Sequence, residues 1–297
     1  MVNYPQLSLQ QQEKLPELMQ VNALPMQYED STHQLWDCNT KQGPLILKIC
    51  NSNNATQSHF WLAMKQLFGV DLPKQLGDFE QVYNKLTGFS QLTIPNYIAS
   101  GSITQNEKAF IIVNKVAGTM ATVDDVDDGM VIQLANHIAT LHQQTQVRWG
   151  LFSQAEFEAE RWSQRLRDSL ILLAEQRGDI PTDILADAIE IIGKCEVATF
   201  VPIMPDLRWD QFLQQEGKLS ALVDLDAFVF GPKELELVLL EYLLDDQQAR
   251  VFASQYQQIH ALVDLSQVRQ PYRLLLFMMN VLGEQDIDLW MQAPTRF

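Results

Sequence analysis

The chain has 297 residues, 46% of them hydrophobic, and a formal net charge of −16. That length suffices for two lobes and a sizeable core, and the acidic balance excludes non-specific nucleic-acid binding, which needs Lys and Arg against phosphates. There is no apolar run of spanning length, no basic-then-apolar N-terminal leader, and only Cys38, Cys50 and Cys195, too scattered for a disulfide framework; a cytoplasmic protein without membrane or nucleic-acid partners is expected.

The run from Leu45 to Cys50, LILKIC, follows the turn-like Gln42-Gly43-Pro44 and reads as a strand broken by a single lysine. Phe60, Trp61, Met64, Leu67 and Phe68 then recur at helical spacing. A second helix is expected from Asp78, with Phe79, Val82, Tyr83 and Leu86 on its apolar face. AFIIVNKV, residues 109–116, reads as another strand, and Gly118 with the acidic run after it suggests a lobe boundary. That run, Asp124, Asp125, Asp127 and Asp128, is either a cation attractor or, more simply, a solvated loop.

Beyond it helices dominate. Val131, Leu134, Ala135, Ile138, Leu141 and His142 share one face. Ser153 with Glu156 reads as a capping box for a helix carrying Phe157, Trp162, Leu166 and Leu170, and a further helix covers residues 182–192. TFVPIM, residues 199–204, interrupts this pattern with a short strand. QFLQQEGKLSALVDLDAF then reads as a hairpin turning at Glu216-Gly217.

The interruption holds the candidate chemistry. It contains Asp206, Arg208, Gln211, Asp224 and Asp226 at loop ends, where function commonly sits. Paired carboxylates across a hairpin can divide the work, one taking a proton and the other holding Mg²⁺. Asp226 shares a face with Asp224 if the strand is regular, and does not if a local turn intervenes. Arg208 either holds a phosphate oxygen or makes a surface ion pair. Lys48, alone in an apolar strand, needs an anionic partner, and Glu80 on the following helix is the natural candidate. No HExxH or GxSxG motif offers a competing zinc or hydrolase reading.

This order of elements resembles the aminoglycoside-phosphotransferase, kinase-like superfamily over roughly residues 30–245. LILKIC resembles its lysine strand, with Lys48 in the lysine position and Glu80 as the helix glutamate. IIVNKVAG resembles the hinge, ANHIATLHQ the helix ending in Leu-His, and IMPDLRWDQFL the catalytic loop. ALVDLDAFVFGPKELEL resembles the metal strand and the stretch beyond it. Four positions depart from the pattern: Met204-Pro205 replaces His-Gly, Gln211 replaces Asn, and Glu236 replaces Asp.

The resemblance implies an α+β, two-lobed fold, with a small N-terminal lobe (1–116) bearing an antiparallel sheet and a larger helical lobe (117–297). It implies an ATP- and Mg²⁺-dependent phosphotransferase acting on a small-molecule hydroxyl. Asp206 is then the base and Arg208 a charge neutraliser. Lys48, Glu80, Asn114 and Val116 serve the nucleotide, Asp224 and Gln211 the metal. Met204-Pro205 also admits a catalytically degenerate nucleotide-binding or scaffolding protein, because proline removes a backbone donor and methionine cannot replace histidine's hydrogen bonds.

Overall fold

A computed structural model describes residues 2–26, 31–50, 52–77, 79–103 and 108–297, without the side chains of Ser52 and Asn53. The N-terminal region is built on a five-stranded antiparallel sheet of β1 (Leu18–Ala23), β2 (His33–Thr40), β3 (Gly43–Cys50), β4 (Tyr97–Ile103) and β5 (Lys108–Asn114), in the order β1-β2-β3-β5-β4. A short helix, α1 (Leu9–Gln12), precedes it. Strand alternation gives β3 two distinct faces. Leu45, Leu47 and Ile49 face an outer cluster with Trp36, Phe110 and the N-terminal Tyr4 and Leu7. Ile46 and Cys50, and with them Lys48, face the main core.

Between β3 and the second half of the sheet come α2 (Ser52–Gln57), α3 (His59–Ala63), α4 (Leu72–Gly77) and α5 (Glu80–Phe89). The apolar repeat at 60–68 is helical, but α3 continues from Met64 to Phe68 as a π-helix. α5 begins at Glu80 without a side-chain cap; Asp78, the expected cap, lies outside the described residues. Val82, Tyr83 and Leu86 are buried, as their spacing predicts.

The chain leaves β5 at Asn114 and reaches β6 (Thr119–Met120) through Gly118. Gly118 has φ +133, and a Cβ there would lie 3.0 Å from the Gln214 carbonyl oxygen, so only glycine fits. The acidic run is used for capping: Asp125 accepts the Thr122 N–H and Asp127 accepts the Met130 N–H at the start of α6 (Asp128–His142).

β7 (Arg148–Leu151) and β8 (Ala155–Glu158) follow. Here the helix expected from Ser153 is corrected: residues 155–158 are a strand paired with β7, and α7 (Trp162–Arg177) starts later. Phe157 decides this by packing on Trp149, ring centroids 4.8 Å apart, which a helix starting at Ser153 would forgo. Then come α8 (Thr182–Ile192), β9 (Val201–Ile203), β10 (Phe212–Gln215), β11 (Lys218–Leu222) and β12 (Val229–Gly231). Both residues of the β10–β11 turn have positive φ, Glu216 at 51° and Gly217 at 73°, as a two-residue hairpin loop demands. Helices α9 (Lys233–Leu243), α10 (Asp246–Tyr256), α11 (Arg269–Met279) and α12 (Ile287–Met291) complete the larger region.

Two pairings position the site. β9 and β12 are antiparallel, with Ile203 opposite Val229, so the loop leaving β9 and the loop entering β12 emerge at the same end of that sheet. The segment after α5 is tied to the hairpin, Thr93 N–H to Ser220 O at 3.0 Å and Leu222 N–H to Thr93 O at 3.0 Å, linking the two regions. No helix among the described residues is long and apolar enough to cross a membrane.

Candidate active site

The loop after β9 carries Met204, Pro205 and Asp206. Met204 is 1% exposed, with its side chain in the core. Its backbone N–H donates to Glu236 Oε1 at 2.7 Å. Glu236, on α9, is itself buried, and its Oε2 lies 2.9 Å from His142 Nε2 at the end of α6. His142 Nδ1 is 2.8 Å from the Tyr256 hydroxyl on α10. Three helices thus hold the root of the loop through one buried chain, and the hydrogen bonds that methionine cannot make are supplied from elsewhere. At the far end, Gln211 donates to the Asp206 carbonyl at 3.1 Å and accepts the Arg208 N–H at 2.9 Å.

Removing the Glu236 carboxylate should therefore strand a buried N–H and leave His142 without its partner. Such losses cost about 1–3 kcal/mol each. Glu236→Ala is expected to lower the unfolding free energy by an amount of that order, read as a lower denaturant midpoint, with Glu236→Gln milder because its amide oxygen can still accept. An unchanged midpoint in Glu236→Ala would show that the chain carries no weight.

The loop entering β12 holds Asp224 and Asp226 on either side of the fully buried Leu225. Asp224 has φ 61, a left-handed conformation that non-glycine residues adopt at a cost, and one found at functional sites. This turn settles the relation between the two carboxylates: both reach Lys48, whose ammonium pairs with Asp224 and lies 2.5 Å from Asp226. His33, at the start of β2, adds its Nε2 3.1 Å from Asp226. Asp224 remains 44% exposed to the cleft, whereas Asp226 is 4% exposed.

Charge explains the ionisation pattern. Burial works against the Asp224 carboxylate, but Lys48 outweighs it and holds the pKa below the ordinary range. Asp226 is raised, by burial first and then by the like charge of Asp224, against the pull of Lys48. Asp206 is pushed up to about 7, by burial and then by Asp224, with Arg208 opposing. Burial and the neighbouring Lys48 keep His33 well below its usual value, hence neutral.

The expected Lys48–Glu80 pair is not formed. Glu80 is exposed at the start of α5, and the two aspartates take the ammonium. The residue of α5 that senses this cluster is the buried Tyr83, whose hydroxyl pKa is raised by burial and then by Asp226. At the hinge, the Asn114 side-chain oxygen accepts the Asn96 N–H. Val116 is half-buried and lines a cavity of about 490 Å³ with Lys115, Asp37 and Asn22. Arg208 Nε lies 3.1 Å from Asp210 Oδ1.

Asp206, Arg208, Asp224 and Asp226 open onto one cleft of about 520 Å³, closed opposite them by residues of α2 and α3 and by the end of α11. Gln211 does not reach it; its amide is taken up by the loop. A larger cavity of about 830 Å³ lies behind α2 and α3 but contains none of these groups, so the convergence of titratable side chains, not size, locates the site. Sequence reasoning missed His33, since nothing local marked β2.

A divalent cation fits the residues present. Asp226 Oδ1 is buried with no hydrogen-bond partner among the described residues, Asp224 beside it is open to the cleft, and hard carboxylate oxygens suit Mg²⁺. No cluster of three or more metal-ligating side chains occurs among the described residues. Mg²⁺ sites that share substrate phosphates do not require one, since one or two carboxylates suffice.

No protein-family model matches the sequence, and no curated protein matches it. Solved structures do. A fructosamine-3-kinase homologue from Haemophilus somnus 129PT superposes with a TM-score of 0.61 at 14% identity, over 94% of this chain and 90% of that one. An aminoglycoside phosphotransferase solved with GDP and kanamycin, APH(2″)-IIIa, gives 0.57 at 16% identity, over 91% and 86%. The macrolide 2′-phosphotransferase of Brachybacterium faecium gives 0.55 at 11%, over 93% of both chains. At these identities the likeness establishes the fold: this chain has the kinase-like architecture of the aminoglycoside phosphotransferases, with an N-terminal antiparallel sheet and a helical C-terminal region.

Proposed function

We propose that this protein is a small-molecule kinase that transfers the γ-phosphate of ATP to a substrate hydroxyl. The observation that carries the reading is the convergence of Asp206, with its unpartnered buried oxygen, and the Lys48–Asp224–Asp226 cluster on one cleft. The base of the nucleotide rests against the hinge at 114–116, and Lys48 holds its phosphates. Asp206 accepts the proton of the substrate hydroxyl as its oxygen bonds to the γ-phosphorus, and the bond from that phosphorus to the bridging oxygen breaks, leaving ADP. Asp224 and Asp226 would hold Mg²⁺, which neutralises charge on the phosphate oxygens when bound. Gln211 keeps the loop rigid instead of ligating. Arg208 adds a fixed positive charge facing the transferred group.

The alternative, a non-catalytic nucleotide binder, drew its support from Met204-Pro205. The Glu236–His142–Tyr256 chain supplies the support those residues lack, which favours the enzyme. Binding of MgATP to the folded state should raise Tm by mass action. At a hundredfold excess over Kd the gain is about 2.7 kcal/mol, roughly 5 °C for a protein of this size. A Tm unmoved by millimolar MgATP would overturn the reading.

A further inference from the structure

The wall facing the catalytic carboxylates comes from the segment between β3 and α5. The helical segment from Ser52 to Phe68 leaves the sheet and packs on the larger region, α3 against α11 and α7, and its π-helical end against α7. Arg165 of α7 fixes it there by donating to the Gln66 carbonyl. The segment roofs the cleft and supplies the surface that an acceptor must meet beside Asp206.

The chemistry of that roof is selective. It contributes Asn54, Gln57, Ser58, His59, Phe60 and Trp61 to the cleft, and the opposite rim adds Asn280. None is acidic. The chain carries 37 Asp and Glu and a net charge of −16, yet among the described residues the cleft receives only Asp206, Asp224 and Asp226. The last two are already paired with Lys48, and Arg208 stands beside the first on the same loop. Among the described residues a substrate with several ammonium groups would find no carboxylate of its own, and desolvating an unpaired cation is costly. Amide, hydroxyl and imidazole groups instead match neutral hydroxyls, which need both donors and acceptors. Phe60 and Trp61, both part-exposed and edge-to-face with centroids 4.9 Å apart, offer apolar surface for the C–H face of a sugar ring.

We infer that the acceptor is a neutral, polyhydroxylated sugar, held on the roof by Gln57, His59 and Phe60, and not a polycation. This rests on the kinase reading, so its test is made without nucleotide and is separable from it. Binding of glucose, fructose, ribose and their disaccharides, and of kanamycin as the polycation, is measured at physiological salt by saturation-transfer NMR and calorimetry. At least one sugar is expected to bind, with saturation reaching its ring C–H protons, and kanamycin is expected not to. Phe60→Ala and, independently, the exposed Gln57→Ala should each weaken sugar binding about tenfold, with the thermal shift given by MgATP retained. Kanamycin binding in preference to every sugar, no sugar binding at all, or sugar binding indifferent to both substitutions overturns the inference. Loss of the MgATP shift in wild type would instead overturn the kinase reading and leave the sugar result standing on its own.

Discussion

Asp206→Asn is expected to keep MgATP binding and to lose phosphoryl transfer by about 10²–10⁴-fold, the range that a positioned general base contributes. The substitution preserves shape and the backbone contacts of the loop, since Gln211 grips the Asp206 carbonyl and not its side chain. What it removes is the ability to take a proton. Calorimetry on MgATP and single-turnover transfer separate the two effects, and transfer at the wild-type rate would exclude Asp206 as the base. A stability signature accompanies this. In the nucleotide-free protein the Asp206 carboxyl is raised from 3.8 to about 7. The folded state therefore holds a proton that the unfolded chain releases between those values, and wild-type stability falls as pH rises through that window. Asp206→Asn lacks the group, so its stability advantage over wild type should grow from pH 4 to pH 7. An advantage independent of pH would mean that burial does not perturb this carboxyl.

The second large effect is expected at Asp224. Asp224→Ala removes the cleft-facing carboxylate and one of the two anions on Lys48. Mg²⁺-dependent nucleotide affinity should fall by on the order of 10–100-fold, the range seen even when only a ligand's supporting partners are removed. Backbone strain provides an internal control. Because Asp224 sits at φ 61, Asp224→Gly removes the same carboxylate while relieving the left-handed conformation, a difference of about 1–2 kcal/mol in favour of glycine over alanine. Both variants should lose metal-dependent binding equally while differing in Tm. If affinity instead followed Tm, Asp224 would be a structural residue; if Asp224→Ala bound MgATP as wild type does, the metal assignment would fail.

Much of this protein is legible along the chain because its causes are local. A lone lysine in an apolar run marks β3, and Glu216-Gly217 marks the hairpin because a two-residue loop needs positive φ at both positions. Helical periodicity marks α6, and the ordered appearance of Lys48, Asp206 and Asp224 marks the kinase-like arrangement. Where local signals compete, the sequence is ambiguous: Ser153 and Glu156 suit a helix cap, but Phe157 gains more by lying on Trp149, a contact whose value depends on a sheet that no window of sequence contains.

The partner of Lys48 could not be read in the same way. Glu80 is near in sequence and fits a one-dimensional argument. Asp224 lies 176 residues away and reaches Lys48 only because the pairing of β9 with β12 and the left-handed turn at 224 bring it there. The same holds for Glu236, His142 and Tyr256, each on a different helix, which together support a loop that looks unsupported when read as Met204-Pro205. Composition and periodicity determined most of the elements, β8 excepted, and which residue types are available. Only the tertiary structure decided which charges meet, because the energy of a buried ion pair or hydrogen bond depends on distance and desolvation in space, and sequence separation enters neither.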